Sequence, residues 1–420
     1  MSSADEKITK QLRDKVKEVD NMRRAATKRY YTELAAAKEN NVPVVHMGGF
    51  GPPELVYAFG GLPCFPESYS TILCAKRQAV PFLQAAEARG VSKEVCSYAR
   101  AILGMMWLND GPWGPMPTPD YIISIPIVCD PHAKWWEIMA DYYKCPIFHF
   151  DGPYSFTHDI DEEAVRWMAD NMRTWIPDME KITGQKFDHD RFKQIVALSG
   201  KAHELFQEIQ SYKQAIPCPR GVHLDQSDAW YLINLLGTQE CVDYFTAVRD
   251  VCKEMVENGV GIIDNEKYRL MWDNIPLWYN LQLFDYFNEK GAVFPASTYP
   301  QQMWESYHFD GNKMDPEQPF ESIARDFMMK SVHNSARVKN NRIKKMIKGW
   351  HIDGMVIHVN RGCQVITKST YEKEKAAQEA GIISMSFESE MADPRSYSDG
   401  QVKTRIDAFL EILQTRKAVA

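Results

Sequence analysis

The chain has 420 residues, 45% hydrophobic and 25% charged, an ordinary globular composition long enough for two or three domains with proper cores. Its 56 acidic and 49 basic side chains leave a formal charge of -7, which lacks the basic footprint of a nucleic-acid or anionic-membrane binder. No apolar run approaches the roughly 18 residues of a membrane span. With a polar N-terminus and nine cysteines that form no C-x-x-C, the expectation is a cytoplasmic protein with free thiols.

Residues 1–40 are polar and helix-forming, and are expected to make an N-terminal helical arm. From 41 to 160 the pattern is α/β. "VPVVHMGGFGPPELVYAFGG" runs from a short strand through glycines into a helix, and strands are expected at 120–129 and 145–151 around the helical "HAKWWEIMADYY". Residues 161–290 read as mainly helical, opening on acids that suit a helix N-terminus. From 291 to 420, strands at 291–298, 353–360 and 381–389 alternate with helices near 317–330, 336–350, 365–380 and 398–416. The expected architecture is α/β, with two doubly wound parallel-sheet domains of flavodoxin- or Rossmann-like type, the helical arm and the helical middle segment.

Ligands of open parallel sheets gather beyond the carboxyl ends of the strands. Cys129 ends one expected strand, Cys363 follows another in "DGMVIHVNRGCQ", and Cys96 lies near a helix start that Ser92 would cap, where a thiol pKa is lowered. Three such cysteines from two domains can meet at one cleft and hold a soft metal centre, zinc or cluster iron, with one position open. The competing reading is a buried cysteine acting as a small hydrophobe, the reading given to Cys74, Cys145, Cys218, Cys241 and Cys252.

Five blocks together resemble a known family: "CSYARAILG" with Cys96, "PIVCDPHAKWWE" with Cys129, "EKYRLMWDNIPLW" (266–278), "DGMVIHVNRGC" with Cys363, and "SFESEMADPRSYSDGQVKTRIDAFLE" (386–411). The chain is similar, from about residue 40 to its end, to the 2-hydroxyacyl-CoA dehydratases, a family that also holds the cluster-bearing subunits of ATP-dependent benzoyl-CoA reductase. The resemblance implies that Cys96, Cys129 and Cys363 bind three irons of a [4Fe-4S] cluster whose fourth iron is open to the substrate thioester. It implies dehydration of a 2-hydroxyacyl-CoA to an enoyl-CoA through a ketyl radical. It also implies a homologous second subunit and a separate iron-sulfur ATPase as electron donor. The chain's lack of a G-x-x-x-x-G-K-[ST] phosphate loop agrees with ATP acting only through that activator.

"LPCFPESYS" matches the family segment carrying a glutamate, here Glu67, as the candidate for proton transfer. Gly362 lets backbone approach closely, and Arg361 would add positive charge beside a cluster or CoA phosphate, unless it is a solvated surface residue. His358 and His132 are candidate donors to substrate, with a satisfied core histidine as the better reading of each. Trp107, Trp113, Trp272, Trp278, Tyr279 and Trp304 would suit an aromatic acyl pocket or simply a core. The alternatives are an aryl-CoA reductase, a double-cubane reductase drawing extra ligands from Cys64, Cys74 and Cys145, and a non-catalytic scaffold subunit.

Overall fold

The computed structural model describes residues 3–157, 159–304 and 313–419. Its N-terminal helix α1 (Ser3–Ala36) is docked along its length. Leu12 and Val16 pack on Met255 and Val260, and Arg13 reaches Asp264 at 2.7 Å.

Two four-stranded sheets follow, and every strand pair is parallel. The first comprises β1 (Val44–Met47), β2 (Leu62–Cys64), β3 (Tyr121–Ser124) and β4 (Ile147–His149), in the order β2-β1-β3-β4. The second comprises β5 (Tyr268–Asp273), β6 (Ala292–Ser297), β7 (Gly354–Asn360) and β8 (Ile383–Ser389), in the order β6-β5-β7-β8. Both sheets share one topology, in which the chain starts inside, steps to one edge, then crosses back. In each, the switch point lies between the first and third strands.

The first sheet carries α2 (Pro53–Ala58), α3 (Pro66–Ala75), α4 (Ala79–Ala88), α5 (Ser97–Leu108) and α6 (Asp130–Tyr143). The middle is helical as the sequence suggests, with α7 (Glu162–Thr183), α8 (His189–Tyr212), α9 (Val222–Asn234) and α10 (Gln239–Glu257). Asp161 caps α7 by accepting from the amides of Glu163 and Ala164, and Thr238 caps α10. The second sheet is flanked by α11 (Leu283–Glu289), α12 (Gln301–Trp304), α13 (Pro319–Met329), α14 (Ala336–Gly349), α15 (Gln364–Thr367), α16 (Thr370–Glu379) and α17 (Asp399–Val419). One of its faces packs Trp272, Phe294 and Val356 under α11 and α17, and the other packs Met271, Met355 and Ile357 under α14 and α16. The sheet is therefore doubly wound.

Three elements depart from the sequence reading. The strand expected over 120–129 stops at Ser124, because Pro126 has no N–H for the ladder and opens a 3-10 turn over Pro126–Val128. β2 was not expected; it is a three-residue edge strand that tolerates Pro63 because it pairs on one side only. β5 lies inside the stretch read as mainly helical, so the second sheet begins before residue 291. All six of its residues are buried, and a buried strand carries no alternation to separate it from a buried helix.

Candidate functional site

The carboxyl ends of both sheets open onto one cavity of about 290 Å³. Its wall takes Gly49 and Phe50 after β1, Glu67 after β2, Cys129 after β3, Ile275 after β5, Tyr299 after β6, Cys363 after β7 and Met391 after β8. α1 contributes Arg23 and Thr27, and α9 closes one side with Gln226, Trp230 and Ile233. The crevice beyond a parallel sheet's strand ends is where such folds bind ligands, and here two such crevices face each other.

Cys96, Cys129 and Cys363 all line this cavity, and each occupies the N-cap position of a helix: α5, α6 and α15 respectively. Cys129 and Cys363 hold equivalent places, each following the third strand of its sheet beside the switch point. Cys96 holds the N-cap position of α5 without a side-chain capping bond, while the Ser92 hydroxyl accepts from the Glu94 amide at 3.2 Å instead of capping α5.

Burial raises all three thiols rather than lowering them, the reverse of the expectation for Cys96. Cys363 is pushed up to about 11, Cys129 up to about 12 with Cys363 beside it, and Cys96 well above its ordinary value, with Cys363 and Cys129 adding to the burial. The amides of Ile366, His132 and Ala99, each three residues on, act in the lowering direction but are outweighed. Such thiols release their protons to a metal rather than to water.

Among the described residues, no three His, Cys, Asp or Glu side chains are gathered tightly enough to hold a single metal ion. The donor set is three soft sulfurs spread around a cavity wall, in a mostly apolar surround. By donor type, three soft sulfurs suit a thiolate-loving centre such as cluster iron.

Two close approaches shape the site. A Cβ on Gly362 would stand 2.9 Å from the Cys96 Cα and 2.9 and 3.0 Å from the two Glu390 carboxylate oxygens, so only glycine lets the Cys363 turn rest on the start of α5. A Cβ on Gly48 would stand 2.6 Å from His132 Cε1. The absence of a side chain there lets the imidazole lie against the β1 turn.

That imidazole belongs to a small polar group beside Cys129, which starts the same helix. Glu67 Oε2 accepts the Gly49 N–H at 2.6 Å, and Oε1 is 3.6 Å from His132 Nε2. The Trp136 indole N–H reaches His132 Nδ1 at 3.0 Å and lies 3.4 Å from Nε2.

The remaining predicted residues lie elsewhere. His358 is fully buried; its Nδ1 donates to the Ile275 carbonyl at 2.6 Å and its ring stacks on Phe387, with burial pulling its pKa down to about 4. It reaches the cavity only through Ile275. Arg361 is 44% exposed at the rim, 3.2 Å from Glu388 and 3.6 Å from Glu94. Cys64 and Cys74 are buried in packing and Cys145 is half-buried, and none of the three is among the residues lining the cavity. Of the aromatic residues singled out, Trp278 and Trp304 line the cavity; Trp272 packs in the second core.

Behind the thiols lies a buried charge network that sequence reading missed. Arg100, 1% exposed, bonds Glu87 at 2.8 Å and Asp393 at 2.9 Å, and Arg395 bridges the same two carboxylates. Ser97 donates to Glu390 at 2.9 Å. These bonds tie α5, which starts at Cys96, to the loop after β8, and so hold the two halves of the thiol site together. A signal existed in the Arg and Asp-Glu content of the 96–104 and 386–411 blocks, but pairing across roughly 290 residues cannot be read locally.

A sequence profile described as 2-hydroxyglutaryl-CoA dehydratase, D-component, matches residues 49–413. The chain is 26% identical to the (R)-phenyllactyl-CoA dehydratase alpha subunit of Clostridium sporogenes, over 91% of this chain and 92% of that protein. It is 26% identical to the lactoyl-CoA dehydratase alpha subunit of Anaerotignum propionicum, over 91% and 94%. With a benzoyl-CoA reductase subunit of Thauera aromatica it shares 27% identity, over 93% of each.

Proposed function

Because the chain belongs to the 2-hydroxyglutaryl-CoA dehydratase D-component family, we propose that it is the cluster-bearing subunit of a 2-hydroxyacyl-CoA dehydratase, a lyase that removes water to give an enoyl-CoA. Relatives that are named as alpha subunits support a second, homologous subunit as its partner. A separate iron-sulfur ATPase supplies the electron, and the compartment is the cytoplasm. The observation that carries the reading is the placement of three cysteines, from both sheets, on the wall of one cavity that also holds a fixed carboxylate.

Cys96, Cys129 and Cys363 would hold a [4Fe-4S] cluster, which supplies reversible one-electron chemistry at a thioester carbonyl and keeps one iron open. The chain's own groups do the rest. Glu67, oriented by the Gly49 amide, is the group placed to take the proton lost next to the reacting carbon and pass it to the departing hydroxyl. His132 Nε2 stands 3.6 Å from Glu67 Oε1, the oxygen that the Gly49 amide leaves free. The apolar wall keeps water away from a reactive intermediate.

The test is anaerobic turnover of a 2-hydroxyacyl-CoA by the chain with its partner and activator, followed by enoyl-CoA formation. Wild type is expected to turn over, and Cys363→Ser to lose activity while still assembling; unchanged activity in that variant sinks the reading. A second reading, as part of an aryl-CoA reductase, is supported by the 27% identity to the benzoyl-CoA reductase relative. It predicts a dearomatised thioester as product instead.

A further inference from the structure

Resting on the cluster reading above, we propose that Lys339, on α14, is the unmatched positive charge that balances the metal centre at Cys363 and raises its reduction potential. It acts through Cys363, as a positioning residue, and does not touch substrate.

Two lysines converge near the helix that follows the thiol. Lys373 on α16 and Lys339 on α14 are 2% and 9% exposed. Lys373 is fully engaged: its Nζ donates to the two Asp273 carboxylate oxygens at 3.0 and 2.8 Å and to the Ile366 carbonyl at 2.8 Å. An ammonium has three donors, so these bonds use all of them. Asp273, the last residue of β5, also accepts from the Thr298 hydroxyl at 2.7 Å. Ile366 lies on α15, whose N-cap is Cys363, and lines the cavity. Lys373 therefore ties the end of β5 to the thiol's own helix.

Lys339 is held near the same place by its backbone and not by a carboxylate. Its carbonyl accepts the Gln302 side-chain amide at 3.0 Å, which joins α14 to α12, where Met303 and Trp304 line the cavity. Its ammonium forms no ion pair among the described residues; the opposite charges that bear on it are Asp273, already bonded by Lys373, and Cys363. Two ammonium groups against one carboxylate leave one positive charge, and a buried charge without a paired anion is costly. Burial first, then Lys373, pulls the Lys339 pKa down to about 8, so the side chain stays mostly protonated at neutral pH.

From other directions the thiols meet negative charge. Glu390 bears on Cys96 and Cys363, and Glu67 and Asp130 bear on Cys129. Arg100 and Arg395 are matched by Glu87 and Asp393, and Arg361 at the rim faces Glu388 and Glu94. Lys373 and Lys339 act the other way, favouring the thiolate at Cys363. An electron added at a three-thiolate centre adds one negative charge, and local charge is one of the means by which a protein sets a cluster's potential. At an effective dielectric of about 20, a unit charge even about 10 Å away changes such an equilibrium by at least about tenfold.

The experiment is an anaerobic redox titration of the cluster-loaded protein, assembled with its partner, with titanium(III) citrate as reductant and visible absorption and electron paramagnetic resonance as readouts. Lys339→Met is expected to lower the midpoint potential by at least about 59 mV, the tenfold change of a one-electron couple. Lys339→Gln, equally uncharged but able to hydrogen-bond, should shift it the same way, so the test stands if the methionine variant misfolds. Lys339→Arg should keep the wild-type potential. So should Lys344→Met, which removes a half-buried lysine of the same helix, one paired with Glu379. An unchanged midpoint in a folded, loaded Lys339→Met or Lys339→Gln overturns the proposal, as does an equal shift in Lys344→Met. Cluster loss from both uncharged variants with retention in Lys339→Arg supports a role for the charge, whereas loss from all three overturns it in favour of packing. A folded wild type with no iron-sulfur signal sinks the cluster reading itself, a result distinct from these.

Discussion

Gly362→Ala puts the geometry of the thiol site under direct strain. The new Cβ would lie 2.9 Å from the Cys96 Cα, a backbone atom that cannot swing aside, and 2.9 and 3.0 Å from the Glu390 oxygens, which Ser97 holds. Ordinary carbon contacts are about 3.5–4.0 Å, so the Cys363 turn must retreat from α5 by roughly 0.6 Å or more. Overpacking of this kind costs roughly 1–3 kcal/mol, which a protein of this size survives. A metal site, however, tolerates ligand displacements of only about 0.2 Å. The variant is therefore expected to fold, with a modestly lower Tm, and to lose most of its iron and acid-labile sulfide during anaerobic purification. Full iron content with an unchanged absorption spectrum would refute the argument that this close approach sets the Cys96 to Cys363 spacing.

Other expectations follow from the same geometry. Glu67→Gln and His132→Gln should each lower kcat, Glu67→Gln by roughly 10²–10⁴, with iron content unchanged; normal kcat in Glu67→Gln would remove it from proton transfer. Arg100→Met leaves Asp393 and Glu87 without their buried cation and should cost roughly 3–5 kcal/mol of unfolding free energy. Arg361→Met, at an exposed pair, should cost under about 1 kcal/mol; denaturant titrations that fail to separate the two would count against the network. Burial pushes Glu54 up to about 7, with Ser199 donating to it at 2.7 Å. A carboxyl raised above its unfolded value of 4.5 stabilises most below that pH and loses this as pH climbs to about 7, roughly 3 kcal/mol in all. Glu54→Gln, which stays neutral, should therefore gain stability relative to wild type between pH 5 and 7.5, and parallel pH profiles would contradict the assignment.

The strand ends were legible where strands are apolar and bounded by turn residues, as at β1, β6, β7 and β8, and these positions put Cys363 and the Gly48–Gly51 turn near a crevice. β5 was not legible, since six buried residues with an internal Arg269 show no period, and Arg269 is satisfied by the Trp350, Ala215 and Lys213 carbonyls from distant segments. The environment of Cys96 also could not be read: a helix start lowers a thiol, but the burial that outweighs it comes from the meeting of two sheets. His132 looked like a core histidine because its partners, Glu67 and the bare Gly48 turn, arrive from other elements; only Trp136, four residues on, is local. Arg361 and His358 follow from the opposite failure. Arg361 lies two residues before Cys363 and is exposed, while His358 lies five residues before it inside β7 and is buried, so nearness in sequence to a loop thiol does not carry a side chain into its site.

The central claim is that Cys96, Cys129 and Cys363 together hold one [4Fe-4S] cluster, and it is tested most directly by iron and acid-labile sulfide per chain in oxygen-free preparations. About four of each are expected in wild type, with a loss in each of the three Cys→Ser variants and none in Cys145→Ser. A folded wild-type chain without iron or sulfide, or full clusters in any of the three variants, would contradict it.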